Sequence, residues 1–478
     1  MINFMFNLRF ISYFYFFISI FSGLFGFSLS IFVRVELNNP FSVFGDFYYY
    51  IFLTSHGVVM VFYFLTILSS GFFCYLISNI NLVENGGMLW FLKFSKLSLL
   101  SLIISLVFFL FSFFSGMGID VGWTMYVPNS SRRFNTGFSL DYFIFSIVLF
   151  FLYLSFNSIS VMFFFYNYCA RFVFNFFNIP ILIWSNTLAS LLIYFSNPFF
   201  VVLAIMLFYD RNLFTYYFEC EYGGSLVLYQ NLFWFWGHPE VYVLILPVFG
   251  VLCQVVESLC GDLYNKTGII FSMIFLVFLS FIVWGHHMFV IGWANDIKLY
   301  FTQATVFISV PTSIKIFSWL RSMVFYKYRF NIIIIFILIF ILIFTFGGMT
   351  GIFLSNYNLD IILHDSYFVI GHFHTILASA SIFGYLIAFF YYFRFNYFFN
   401  NDDFYLTFLL FFLLFSIFLL QLLINFHFLG FLNFPRRIHI YFINYYFFFH
   451  LGSIGLVGVW FGIYFFVILF LFFNSENE

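Results

Sequence analysis

Apolar runs long enough to cross a bilayer follow one another along almost the whole of this 478-residue chain. No other feature limits its possible folds as strongly. A membrane helix needs about 20 apolar residues to span the hydrocarbon. Only 7% of the residues are charged, against about a quarter in a soluble domain, so a water-facing surface has nothing to cover it. The expected class is an all-α integral membrane protein. By the span-length rule it has about twelve transmembrane helices, near residues 10–33, 47–80, 93–115, 140–168, 178–208, 226–256, 268–290, 301–325, 331–354, 366–393, 404–428 and 443–473. Short polar connections join them, and no fixed-period repeat interrupts them. One polytopic membrane domain is therefore expected over residues 1–478. The first apolar stretch, Phe10 to Val33, is too long for a signal-peptide core and is expected to be retained.

The remaining composition mostly excludes. A net charge of −1 without a basic stripe points away from nucleic acid. The five cysteines form no C-x-x-C pair, which argues against a covalent c-type heme or a cysteine-rich metal site, and their odd number excludes a complete disulfide framework. The 92 Phe and 34 Tyr fit an A+T-rich, organelle-type genome. The mitochondrial inner membrane is the expected location, with a bacterial plasma membrane as the alternative.

Few ionisable groups fall inside the spans. Glu240 and Lys315 each stand in the middle of an apolar run, where a charge costs roughly 2.5–3.5 kcal/mol. Such residues line cavities or proton paths, or else anchor neighbouring helices as neutral polar groups. Histidine is more informative. Of the 10 present, His427, His439 and His450 read as hydrogen-bonded core residues. The other seven are grouped. His372 and His374 are two residues apart, about 200° around a helix, so each can serve a separate metal; two hemes flanking one helix satisfy this. His238 and Tyr242 share a helix face at i, i+4, with Glu240 between them pointing elsewhere. His286 and His287 end the next span. Three imidazoles suit a copper ion with an open position for substrate, and the adjacent phenol offers an electron and a proton. His56 precedes Gly57, which lets a flat cofactor approach the backbone, and is an available axial partner for His374.

These residues carry a resemblance. The segment Trp234-Phe235-Trp236-Gly237-His238-Pro239-Glu240-Val241-Tyr242 closely resembles subunit I of the heme-copper oxygen reductases, in particular that of the mitochondrial-type cytochrome c oxidases. So do Trp284-Gly285-His286-His287-Met288-Phe289, Val310-Pro311-Thr312-Ser313-Ile314-Lys315, Gly347-Gly348-Met349-Thr350-Gly351 and the run from Leu359 to His374. Arg34-Val35-Glu36-Leu37, Gly122-Trp123-Thr124-Met125-Tyr126 and Phe434-Pro435-Arg436-Arg437 match as well, so the motifs lie in family order across residues 34–437.

The resemblance implies a catalytic subunit that reduces O2 to water, coupled to proton uptake and pumping. Electrons would come from cytochrome c through subunit II, with a quinol oxidase on the same core as the alternative. It implies that His56 and His374 ligate heme a and that His372 ligates heme a3. His238, His286 and His287 would hold the copper ion (CuB), with Tyr242 cross-linked to His238. Glu240 would pass on protons from one path, and Thr312 and Lys315 would line a second. His364 and Asp365 would bind magnesium shared with subunit II. Arg34 would meet the heme a formyl group, and Trp123, Arg436 and Arg437 would lie near the heme propionates. Glu36 would contribute to a peripheral calcium or sodium site. Subunits II and III and membrane lipids are the implied partners.

The chain also departs from the family pattern. The first proton path normally begins at an aspartate after span two. Here the region from Cys74 to Asn85 holds none, and Glu84 is the nearest acid. The loop after Arg437 reads Ile438-His439-Ile440-Tyr441, without the usual acidic residue. The rival from another class is a transporter without redox metals, in which Glu240 and Lys315 relay ions. The paired histidines argue against it.

Overall fold

The structure is a computed structural model, and it describes residues 2–39, 41–78, 86–116, 118–171, 177, 179–325, 332–392 and 402–475; for 2–7, 86–88, 171, 402–408 and 466–475 only the backbone is considered. Glu84 and its neighbours from 79 to 85, the expected start of the first proton path, lie outside the described residues.

Ten helices among the described residues are long and apolar enough to cross a membrane. They include α1 (Ile2–Leu37), α2 (Asp46–Ser78), α3 (Gly86–Phe114), α4 (Ser139–Arg171), α5 (Ile181–Asn212) and α6 (Leu226–Cys260). Two expected spans are broken instead. The seventh is only α7 (Lys266–Ser280), after which the chain turns through one tight coil, Trp284–Met288. The eighth is split into α8 (Asn295–Phe307) and α9 (Ser309–Phe325). Pro311 lies in the first turn of α9, where its missing N–H is harmless but would break a helix continuing from α8. The remaining elements are α10 (Ile332–Ser355), the short α11 (Tyr357–Leu363), α12 (Tyr367–Tyr392), α13 (Asp402–Phe431) and α14 (Tyr446–Ser475).

The chain divides into two compact units, residues 1–23 with 53–327 and residues 24–52 with 328–478. In lipid, helices gain little from hydrophobic burial against one another, so close backbone approach and interhelical hydrogen bonds hold them. The first unit shows both. A methyl on Gly250 of α6 would stand 1.8 Å from Ser185 Oγ of α5. The Tyr63 hydroxyl of α2 lies 2.7 Å from both Ser105 of α3 and Ser146 of α4. Trp236 is fully buried among Phe62, Phe151 and Phe200. In the second unit Gly458 and Gly462 of α14 press against the rings of Phe418 and Phe415 of α13, the small-residue spacing that lets two membrane helices touch.

Candidate metal centre

In the first unit, α6 carries His238 and Tyr242 one turn apart, and their rings meet at 4.8 Å. The tight coil after α7 brings His286 and His287 to the same point. Gly285 is required there, because a Cβ would stand 2.4 Å from the Phe301 ring. One nitrogen from each of His238, His286 and His287 falls within a 4.8 Å cluster. His238 Nδ1 lies 3.3 Å from His287 Nε2, and the other nitrogen, His238 Nε2, is buried without a hydrogen-bond partner.

The surrounding side chains fix how these rings present their lone pairs. Thr305 Oγ1 donates its only proton to the Phe301 carbonyl at 2.6 Å. It therefore accepts from His286 Nδ1–H at 3.0 Å, leaving the His286 Nε2 lone pair for a ligand. Trp234 stacks on His287 at 4.0 Å, with the planes 13° apart. Three imidazoles with no thiolate and no carboxylate form a donor set that fits copper.

Glu240 is buried, and neither carboxyl oxygen has a hydrogen-bond partner. A cavity of about 30 Å³ lies along its helix face, at Val243 and Pro247, one and two turns on. Its polar lining comes from Thr66, Ser70, Asn157, Asn186 and Ser190, which suits one or two waters. Tyr153 and Asn157 both bond to Ser70. Lys315 of α9 is buried with no acceptor for Nζ, which lies 4.7 Å over the Phe249 ring. Nearby, Trp319 Nε1 donates to Cys253 Sγ. The Thr312 hydroxyl is shared between the Ile308 and Ser309 carbonyls one turn back. Trp123 packs against Phe233 and Trp234. His56 sits on α2 beside Gly57, whose Cα faces Trp123.

In the second unit, His372 and His374 meet different helices. His372 Nδ1 donates to the Gly347 carbonyl of α10 at 3.1 Å and lies 3.1 Å from Thr350 Oγ1, so its Nε2 lone pair is left for a ligand. Gly351 gives this ring room, since a Cβ there would stand 2.8 Å from it. His374 Nδ1 donates to the Ile370 carbonyl at 2.9 Å, and its ring lies against Phe426 of α13 at 5.2 Å. Both imidazoles therefore have the form an iron ligand needs. Arg34 is buried over the Phe426 ring, and its Nη1 is a buried donor without a hydrogen-bond partner. These features fit heme.

Asp365 and Arg436 are joined by a backbone hydrogen bond, and Tyr367 bonds to the Phe434 carbonyl. The Arg436–Arg437 loop thus runs beside the His364–Asp365 loop. His364 Nε2 and Asp365 Oδ2 lie 3.3 Å apart and face outward. Burial, and then the Asp365 carboxylate, push the neighbouring Asp360 carboxyl up to about 7.

The Glu36 carboxylate accepts from Ser42, Val43 and Phe44. One expectation changes. His450 is not a core residue; it is exposed and meets Asn38. The supporting roles of Trp234, Thr305, Thr350 and the cavity side chains were missed. Asn157 and Asn186, polar residues within spans, were the available signal.

The description of the family model that matches residues 10–467 is "Cytochrome C and Quinol oxidase polypeptide I". The chain is similar to cytochrome c oxidase subunit 1 of Yarrowia lipolytica, 34% identical over 79% of this chain and 71% of the relative. It is also similar to that of Mytilus edulis, 33% identical over 77% and 67% respectively. Among solved structures, a heme-copper terminal oxidase dimer shares the fold with a TM-score of 0.75 at 20% identity, over 97% of this chain and 83% of that one. The chain belongs to the cytochrome c and quinol oxidase polypeptide I family, as the multi-pass, heme- and copper-carrying catalytic subunit of a multi-subunit terminal oxidase of the mitochondrial inner membrane.

Proposed function

We propose that this subunit reduces O2 to water with electrons from cytochrome c, delivered through subunit II, and couples the reaction to proton uptake and pumping. The three-imidazole cluster of His238, His286 and His287, with the His286 tautomer set by Thr305 and the His287 ring held by Trp234, carries this reading. Relatives named for cytochrome c oxidase favour cytochrome c over quinol as the donor.

When bound, two hemes and one copper ion would relay those electrons and provide the point at which dioxygen is reduced. We assign His56 and His374 to heme a, His372 to heme a3, and His238, His286 and His287 to CuB. Tyr242, against His238, offers a phenol proton and is the candidate for a covalent link to that ring. Glu240 holds a proton at its buried carboxyl and takes the next from the water cavity on its own face. Lys315, with Thr312 one turn before it, serves the second path. Arg34 donates to the heme a formyl group, and Trp123, Arg436 and Arg437 hold propionates. His364 and Asp365 take magnesium with a ligand from subunit II. The whole chain acts as one membrane domain alongside subunits II and III.

The test is a reduced-minus-oxidised spectrum with a carbon monoxide difference spectrum on the purified complex, joined to metal analysis and oxygen uptake with reduced cytochrome c or quinol. Heme bands, a carbon-monoxide-reactive high-spin signal and stoichiometric copper are expected. Folded material with neither iron nor copper rejects the reading.

A further inference from the structure

Helix α9 has two unlike faces. On the inner one Trp319 packs on Phe249 and donates to Cys253 of α6, and Ser322 accepts from the Tyr264 N–H in the turn between α6 and α7. The outer face carries Phe317, Val324 and Phe325, which are 68%, 75% and 70% exposed. Arg321 stands among them and is exposed as well; steps of four, seven and eight residues share one side of a helix. The turn that holds Tyr264 follows the membrane span Leu226–Cys260, and α9 itself ends at Phe325. Arg321 therefore lies at the end of the membrane helices, where a long basic side chain reaches the headgroup layer. Its guanidinium carbon sits 4.2 Å over the Tyr264 ring and 4.8 Å over the Phe325 ring. Glu257 of the same corner pairs with Lys266 at 3.1 Å, and Asp262 accepts from the Leu263 N–H. Among the described residues no hydrogen bond or ion pair reaches Arg321. The planar fork of five N–H donors matches a phosphate, and the two rings fix its orientation in advance.

We propose that Arg321, cradled by Tyr264 and Phe325, binds the phosphate of an anionic phospholipid whose acyl chains lie along Phe317 and Val324. Basic side chains at the ends of membrane helices recognise such headgroups electrostatically. A choline or ethanolamine headgroup fits less well, because it brings its own cation to a corner where both rings already face a guanidinium and Glu257 is already paired.

The test uses the intact oxidase, delipidated in detergent and titrated with detergent micelles containing either phosphatidylglycerol or phosphatidylcholine. Bound lipid is counted by native mass spectrometry, and heme absorbance checks that each variant is assembled. Wild type is expected to hold one more phosphatidylglycerol than Arg321→Gln, with no such difference in phosphatidylcholine. Tyr264→Leu and Phe325→Leu keep the charge and remove one ring each, and should weaken phosphatidylglycerol binding by roughly two- to fivefold, the scale of an exposed cation–π contact. Equal phosphatidylglycerol counts in wild type and Arg321→Gln overturn the proposal, as does a difference that phosphatidylcholine reproduces. Release of a partner subunit from Arg321→Gln with the lipid count unchanged overturns it too, and assigns the arginine to a carboxylate of that partner. If Arg321→Gln does not assemble, the two ring variants decide: unchanged phosphatidylglycerol affinity in both overturns the proposal.

Discussion

The indole of Trp234 lies flat on the imidazole of His287, 4.0 Å between ring centroids, while its Nε1 donates to the Tyr126 hydroxyl at 2.5 Å. The ring of one cluster histidine is thereby clamped from behind by a side chain that cannot itself bind metal. Trp234→Ala should leave the helices intact and free His287 to rotate. Loss of such a supporting contact typically costs about 10–100-fold in metal affinity. Copper content of the purified complex after mild chelation should fall accordingly, and Trp234→Phe should retain more copper than Trp234→Ala. Equal copper retention in all three proteins rejects the role.

Thr350 and His372 bind each other across α10 and α12, and Thr350 also donates to the Gly347 carbonyl at 2.8 Å. Thr350→Val removes the hydroxyl at nearly constant volume. The heme spectrum of the complex should shift and heme should be lost faster in detergent, while Thr350→Ser restores both. An unshifted spectrum in Thr350→Val shows that the Gly347 carbonyl alone orients the ring.

Glu240→Gln keeps the shape of the side chain and removes its proton. Heme and copper content should stay at wild-type levels. Oxygen uptake should fall by about 10²-fold or more, the usual scale for removing a positioned acid or base. Turnover above a tenth of wild type would count against the proton role.

Gly250 is where α6 touches α5. Gly250→Ala puts a methyl 1.8 Å from Ser185 Oγ and 3.1 Å from the Leu182 Cα. Overpacking of this kind costs about 1–3 kcal/mol, so the melting temperature of the complex should drop. Adding Ser185→Ala should recover part of the loss, because the hydroxyl clash disappears and the backbone contact remains. A neutral Gly250→Ala shows that the two helices can separate without cost.

Helix class and most span positions were legible because a bilayer imposes its thickness on each apolar run separately. The i, i+4 spacing of His238 and Tyr242 was legible for a similar reason: both lie on one helix, whose period is fixed. The spans at 268–290 and 301–325 read as continuous, since hydropathy does not register a tight coil that is itself apolar, and only Pro311 hinted at the second break. The polar cavity at Val243 and Pro247 was not legible, because its lining comes from α2, α4, α5 and α6.

Glu36 and His439 show the remaining boundary. Four hundred and three positions separate them in the sequence, and nothing in local periodicity relates one to the other. The sequence by itself determined a helical membrane chain and the residue types able to hold metals and protons, because those follow from lipid solvation and from repeats within single helices. Only the tertiary structure decided which nitrogens converge, which hydroxyl fixes the His286 tautomer and that His439 lies beside Asp46 and Glu36. Those outcomes depend on side chains from different helices arriving at one point, and packing rather than sequence spacing governs that arrival.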